Sequence, residues 1–259
     1  MLVALLLFWG DVMDTALLIV LFGAAAAGFA QGVSGFAFSL VALSAWAWAV
    51  EPQLAAPMSV FGALVGQLVT LPWVWRGFEL KRLLPLVIGG LIGVPLGVFL
   101  LQWLDPNHFK FALGVFLLIY CPIMLLLPPD YKWEHGGRIA DGLAGFAGGV
   151  LGGIGGISGP VPTLWTTLRG WGKDTQRGVL QAFNIAMHVA TLTAYTLAGS
   201  INGQVLVMFA WITPALAFPA ILGVLLFRRL NALAFRRLIL ALLLASGVTL
   251  VWGSVASWV

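Results

Sequence analysis

Long apolar runs separated by short clusters of charge constrain this chain more than any other feature. From Leu83 to Leu104, twenty-two residues pass without an Asp, Glu, Lys or Arg, and Gln204–Phe227 is a second such run. A helix needs about 20 mostly apolar residues to cross a bilayer. Reading between the charges gives ten segments: Val12–Val33, Ser34–Val50, Gln53–Trp75, Leu83–Leu104, Phe109–Pro128, Ile139–Ile154, Ser158–Leu168, Thr175–Gly199, Gln204–Phe227 and Ala232–Trp252. The second, sixth and seventh are short and bounded by glycine, so they read as half-helices. Met1–Trp9 is too short to span and reads as an interfacial lead-in.

Composition narrows the class. Over 259 residues, 61% are apolar and 8% charged, against about 45–50% and about 25% in soluble domains. Disordered chains are polar and charge-rich, and the single Cys121 cannot close a bridge within the chain. Barrel strands would alternate in polarity, and these runs do not. The fold class is therefore an all-α polytopic membrane protein of about 8–10 membrane segments. A net charge of +4 without a basic arm gives no nucleic-acid surface.

The cations set an orientation. Arg76, Lys81 and Arg82 share one connection; Lys132 and Arg138 another; Arg169, Lys173 and Arg177 a third; Arg228, Arg229, Arg236 and Arg237 a fourth. Only Lys110 lies elsewhere. With alternating segments, twelve of thirteen cations fall on one side, and the positive-inside rule makes that side cytoplasmic. Both termini, Glu51, Asp105 and Asn202 then face outward. Tryptophans near segment ends, such as Trp48, Trp103, Trp171 and Trp252, fit an interfacial belt.

The chain also resembles itself. Ser34–Ser39 falls against Gly155–Pro160 at an offset of 121, and each glycine-rich stretch precedes a short segment, a charged turn and a long segment. The turns Glu51-Pro52-Gln53 and Lys173-Asp174-Thr175 fall on opposite sides by the charge argument. This predicts two repeats of inverted topology, 1–130 and 131–259, each with a broken element. That pattern is a hallmark of secondary transporters, whose broken helices mark a midplane site. Gly28, Gly32, Gly145 and Gly149 also suit close helix packing. Gly152–Pro160, with five glycines and a proline, cannot stay regularly helical.

Helix N-termini offer unsatisfied N–H groups and partial positive charge, which suits anions. Half-helices starting near Gly35 and Gly159 would aim such ends at one midplane, with hydroxyls from Ser34 and Ser158. Candidate site residues at the first break are Gln31, Gly32, Ser34, Gly35 and Phe36. At the second they are Gly155, Gly156, Ser158, Gly159 and Pro160. Gln181, Asn184, His188 and Thr191 recur at helical spacing on one face, and Gln67 lies opposite His188 at the 121 offset, with Ser59 nearby. Arg177, one turn into its helix, reads either as a collector of anions at the inner mouth or as a snorkelling interface cation. No Lys or Arg falls clearly inside a span. Asp14 and Asp141 read as helix-dipole partners. No acidic residue lies deep in a span, so the reading is an electrogenic, outward-favoured anion carrier. It needs no cofactor and no metal; the partners are a small anionic substrate and the lipid bilayer, with a homodimer left open.

The two stretches Gly28-Phe29-Ala30-Gln31-Gly32-Val33-Ser34-Gly35-Phe36 and Gly152-Gly153-Ile154-Gly155-Gly156-Ile157-Ser158-Gly159-Pro160 resemble the paired glycine motifs of the TauE/SafE sulfite-exporter family. Arg177 followed by Gln181–His188 is similar to that family's second-half signature. The resemblance implies a bacterial inner-membrane carrier exporting sulfite or organosulfonates such as sulfoacetate or sulfolactate. The first motif departs from the glycine-richest form at Phe36, Ala37 and Phe38.

Two other classes compete. Gly32-Val33-Ser34-Gly35 fits a short pattern of rhomboid intramembrane serine proteases, with His188 as a conceivable base. An anion channel would share the same backbone site. Metal transport lacks a ligand set, and nucleotide-driven pumping lacks a Walker loop.

Overall fold

The computed structural model describes residues 13–73, 78–127, 133, 136–227 and 232–258. Met1–Trp9, Arg76, Lys132, Arg228, Arg229 and the 130/131 repeat boundary lie outside the described residues. Ten α-helices account for most of the described chain: α1 (Met13–Ser34), α2 (Phe38–Trp46), α3 (Pro52–Thr70), α4 (Leu80–Trp103), α5 (Pro106–Leu126), α6 (Gly137–Gly155), α7 (Pro160–Leu168), α8 (Lys173–Leu197), α9 (Gly203–Phe227) and α10 (Ala232–Ala256).

The starts and stops follow local chemistry. Pro52, Pro106 and Pro160 occupy the first helical position of α3, α5 and α7, where a missing N–H costs nothing. Asp105 caps α5 by accepting from the Asn107 and His108 N–H groups, and Asn202 accepts from Val205 N–H at the start of α9. Gly35 (φ +85°) and Gly156 (φ +75°) end α1 and α6 in the left-handed region, where a side chain would be strained.

Among the described residues, six helices are long and apolar enough to cross a membrane: Thr15–Ser34, Pro52–Thr70, Leu80–Trp103, Pro106–Leu126, Gly203–Leu226 and Arg237–Ala256. The protein is a multi-pass membrane protein. α2 and α7, nine residues each, reach only about 14 Å at 1.5 Å per residue. The sixth segment needs correction: α6 runs 19 residues, a full-length helix. Counting between charges cut it short, because the helix begins ahead of Arg138.

Packing pairs the first helix of each half with the fourth of the other. α1 lies along α9 and α4 along α6; α5 packs on α10, and α3 on α8. α3 also meets α9, as α8 meets α4. Both first-to-fourth seams are parallel and glycine-lined. A Cβ on Gly28 would stand 2.5 Å from Leu216 O, and one on Gly32 2.2 Å from Ala220 O. On the other seam, Gly149 would meet Gly90 O at 2.1 Å and Gly153 would meet Val94 O at 2.4 Å. Gly223 against Phe29 O is matched by Gly97 against Val150 O. Gly28, Gly32 and Phe29 precede Gly149, Gly153 and Val150 by 121 positions, and Gly90, Val94 and Gly97 precede Leu216, Ala220 and Gly223 by 126. Such backbone contact is how membrane helices gain dispersion energy without a hydrophobic drive between them.

The two ends of the molecule differ in charge. At one, Gln53 Nε2 donates to Leu104 O, Lys110 sits over the Trp48 ring, and Trp258 packs on His108 and Phe111. At the other end of the 24-residue α4, Arg82 pairs with Glu79 and covers Trp171, Thr175 donates to Glu79, and Trp133 N–H donates to Leu168 O. The connections holding Arg82 and Arg169 therefore gather opposite Lys110. α2 runs toward the Lys110 end and α7 toward the Arg169 end.

Candidate functional site

The starts of the two short helices meet inside the protein. A Cβ on Gly159 would lie 2.8 Å from Phe36 Cβ, and one on Gly156 would lie 2.9 Å from Ser39 Oγ. α3 and α8 flank this junction. Ser59 Oγ donates to Gly155 O at 2.9 Å, and Gln67 Nε2 donates to Gly35 O at 2.9 Å. From α8, Gln181 Nε2 donates to Gln67 O at 2.7 Å, and Asn184 Oδ1 accepts from Ser158 Oγ at 2.9 Å. Tyr195, further along the same helix, donates to Gly153 O. His188 and Thr191 lie between Asn184 and Tyr195 on the face that these two contacts fix against Gly153–Ser158.

The polar side chains here are buried: Gln31, Ser59, Gln67, Ser158, Gln181, Asn184, His188 and Thr191 are all at most 3% exposed. Ser39 Oγ, Gln67 Oε1, Thr163 Oγ1, His188 Nδ1 and Thr191 Oγ1 have no hydrogen-bond partner among the described residues. A buried polar atom left unpaired costs about 1–3 kcal/mol. Several on elements converging at one junction form a site ready to take up a polar ligand or water. Ser39, Thr191 and an Nδ1-protonated His188 would supply donors.

The tips differ from the sequence expectation in what they offer. Ser34 Oγ donates to Ala30 O at 2.7 Å and accepts from Phe36 and Ala37 N–H; Gln31 Oε1 accepts from Phe38 N–H. Side chains of α1 therefore cap the start of α2, and the Ser34 hydroxyl donates to its own helix. At the second tip Pro160 and Pro162 have no N–H to give, and Thr163 N–H bonds Gly159 O. The main-chain donors remaining at the tips are those of Ser39 and Leu40 on one side and Ser158, Gly159 and Val161 on the other. Counting every first-turn N–H as available overlooked this local capping.

Arg177 stands beside the first interruption. It is half-buried, and its Nε stands 4.0 Å from where a Gly35 Cβ would be. Gly35 leaves that approach open. Gly32 faces α9 on the glycine seam, where Ala220 O occupies the space beside its Cα. Asp141 ties α6 to α7 by accepting from Trp165 Nε1 at 2.7 Å, with Arg169 Nε 3.9 Å away. No group of three His, Cys, Asp or Glu able to hold a metal occurs among the described residues.

Sequence reasoning missed Ser39 and Thr163. Ser39 stands on the first turn of α2, where a polar residue in an otherwise apolar short segment was a usable signal. Thr163 carried none, because a lone hydroxyl in an apolar helix usually bonds its own backbone.

The structure thus places a buried polar junction between two glycine-ended turns, within a bundle that includes six described helices able to cross a membrane. The family model described as sulfite exporter TauE/SafE matches residues 19–250, so the chain belongs to the TauE/SafE sulfite exporter family. That is a transporter family, and membership implies a membrane exporter of sulfite or a related anion. No curated protein and no solved structure matches the chain.

Proposed function

We propose that this protein exports sulfite or a small organosulfonate across the bacterial inner membrane by alternating access, holding the anion at the junction of α2, α7, α3 and α8. One observation carries the reading: the starts of both short helices meet among buried hydroxyl, amide and imidazole groups, with Arg177 beside Gly35. The main-chain N–H groups of Ser158, Gly159 and Val161, the hydroxyl of Ser39 and His188 Nδ1 would replace the anion's hydration, while Arg177 draws it in from the basic end. Each hydrogen bond to a charged ligand contributes about 1.5–3 kcal/mol.

The halves are read as inverted repeats. The matched glycine seams support this, as does the order of five helices per half, an odd number that reverses the second half relative to the first. Rocking of α1–α9 against α4–α6 would open the junction to each side in turn. The basic end would be cytoplasmic, with both termini outside.

Proteoliposomes loaded in parallel with sulfite, sulfate, sulfoacetate and a carboxylate test the proposal. Efflux of a sulfur oxyanion is the expected result, and transport of cations alone would overturn it. Continuous single-channel currents would replace alternating access with a channel.

A further inference from the structure

Away from the junction, a groove of about 680 Å³ runs along the α4–α6 pair. Its floor is made by glycine. Gly89 and Gly142 place no side chain on the seam, so Ile88 and Ile92 on one helix and Leu143 on the other stand as walls. These walls are open to the surroundings: Ile88 is 58% exposed, Ile92 65% and Leu143 64%. Because α4 and α6 run parallel, their N-terminal turns lie at the same end, and there Lys81 and Arg138 both line the groove. Among the described residues, no acidic side chain lines it. Glu79, close by in sequence, is held by Arg82 and Thr175. From Lys81 to Ile92 the groove follows eleven helical steps, about 16 Å, or roughly the depth of one leaflet of a 30 Å hydrocarbon core.

We propose that this groove holds an anionic phospholipid of the leaflet at the basic end, its phosphate between Lys81 and Arg138 and one acyl chain along the glycine floor. Charge complementarity selects this occupant. A second copy of the chain, related by a two-fold axis along the membrane normal, would bring the same patch against itself and set two pairs of cations together. A lipid phosphate neutralises them, as basic pockets between membrane helices do for anionic headgroups. The inference is independent of the transported substrate.

The full chain, purified and offered equimolar dioleoylphosphatidylglycerol and dioleoylphosphatidylcholine, tests this by native mass spectrometry. The wild type should retain one phosphatidylglycerol at least five-fold over phosphatidylcholine. Lys81→Gln with Arg138→Gln should bring the ratio near one, while Lys110→Gln at the other end leaves it unchanged. Gly142→Leu fills the groove without altering charge, since a Cβ there meets only Pro85 O at an ordinary 3.6 Å; it should lower retention of the lipid several-fold. It keeps the test informative if the double variant folds poorly. Equal retention of the two lipids by the wild type, or an unchanged ratio in both variants, would overturn the proposal. So would disulfide-linked dimers of Ile88→Cys formed in vesicles, which would give the groove to a second copy.

Discussion

Gly156 shows how much one residue carries at the junction. Its φ of +75° suits glycine, and a Cβ would press on Ser39 Oγ at 2.9 Å and on Val60 at 3.1 Å. Gly156→Ala should destabilise the protein by at least the 1–2 kcal/mol (roughly) of a left-handed side chain, seen as a lower unfolding temperature in detergent. Gly203→Ala, with nothing within 4 Å, should change stability by less than about 0.5 kcal/mol. Ser158→Ala removes the only donor found for Asn184 Oδ1 among the described hydrogen bonds; a loss of about 0.6–1.7 kcal/mol is expected for a membrane hydrogen bond. Arg177→Gln should lower sulfite efflux at least ten-fold, about 1.4 kcal/mol in barrier, with Arg177→Lys retaining part of the rate. At the surface, the His108 backbone N–H and then its side chain hold the Asp105 carboxyl below its ordinary value of 3.8. The ionised cap therefore stabilises fully above that value and stops doing so as pH falls through the lowered one. The unfolding temperatures of wild type and Asp105→Ala should differ at pH 7 and converge as acid protonates the Asp105 carboxyl, at a pH below its ordinary 3.8.

At the scale of elements, the spans were legible because twenty apolar residues between charges have one stable arrangement in lipid. All ten predicted segments correspond to helices. The failure at α6 came from treating Arg138 as a boundary, although it lies inside that helix; Asp141, within the expected segment, is satisfied by Trp165. Both interruptions were visible as glycine at positions 35 and 156, but the capping of α2 was not. Gln31 meets Phe38 N–H across seven residues and a chain reversal, a contact no periodicity encodes. The approach of Arg177 to Gly35 was equally hidden, since it depends on where α1 ends relative to α8. The seams yield their own test. Gly149→Ala places a methyl 2.1 Å from a main-chain oxygen, so α4 and α6 must part, at a cost of about 1–3 kcal/mol. The unfolding temperature should drop more than for an alanine introduced at Gly142.

Taken whole, the molecule has a basic end and a weakly charged end, with its polar junction between them. If the basic end is cytoplasmic, an inside-negative potential favours expulsion of an anion by about 2.3 kcal/mol per charge per 100 mV. Efflux from proteoliposomes should rise as a potassium–valinomycin potential is made more negative inside, and independence of potential would point to ion coupling. Trp171→Cys should react with an impermeant maleimide from the cytoplasmic face and Trp258→Cys from the outer face.

The glycine seams also bear on how the chain is made. α1 meets its long partner only when α9, some 190 residues later, has left the ribosome, so its bare glycine stripe waits in lipid through most of synthesis. α4 and α6, by contrast, can dock almost as they emerge. Neither half is then a self-sufficient unit, and two separately expressed fragments would have to find each other in the membrane to regain a working whole.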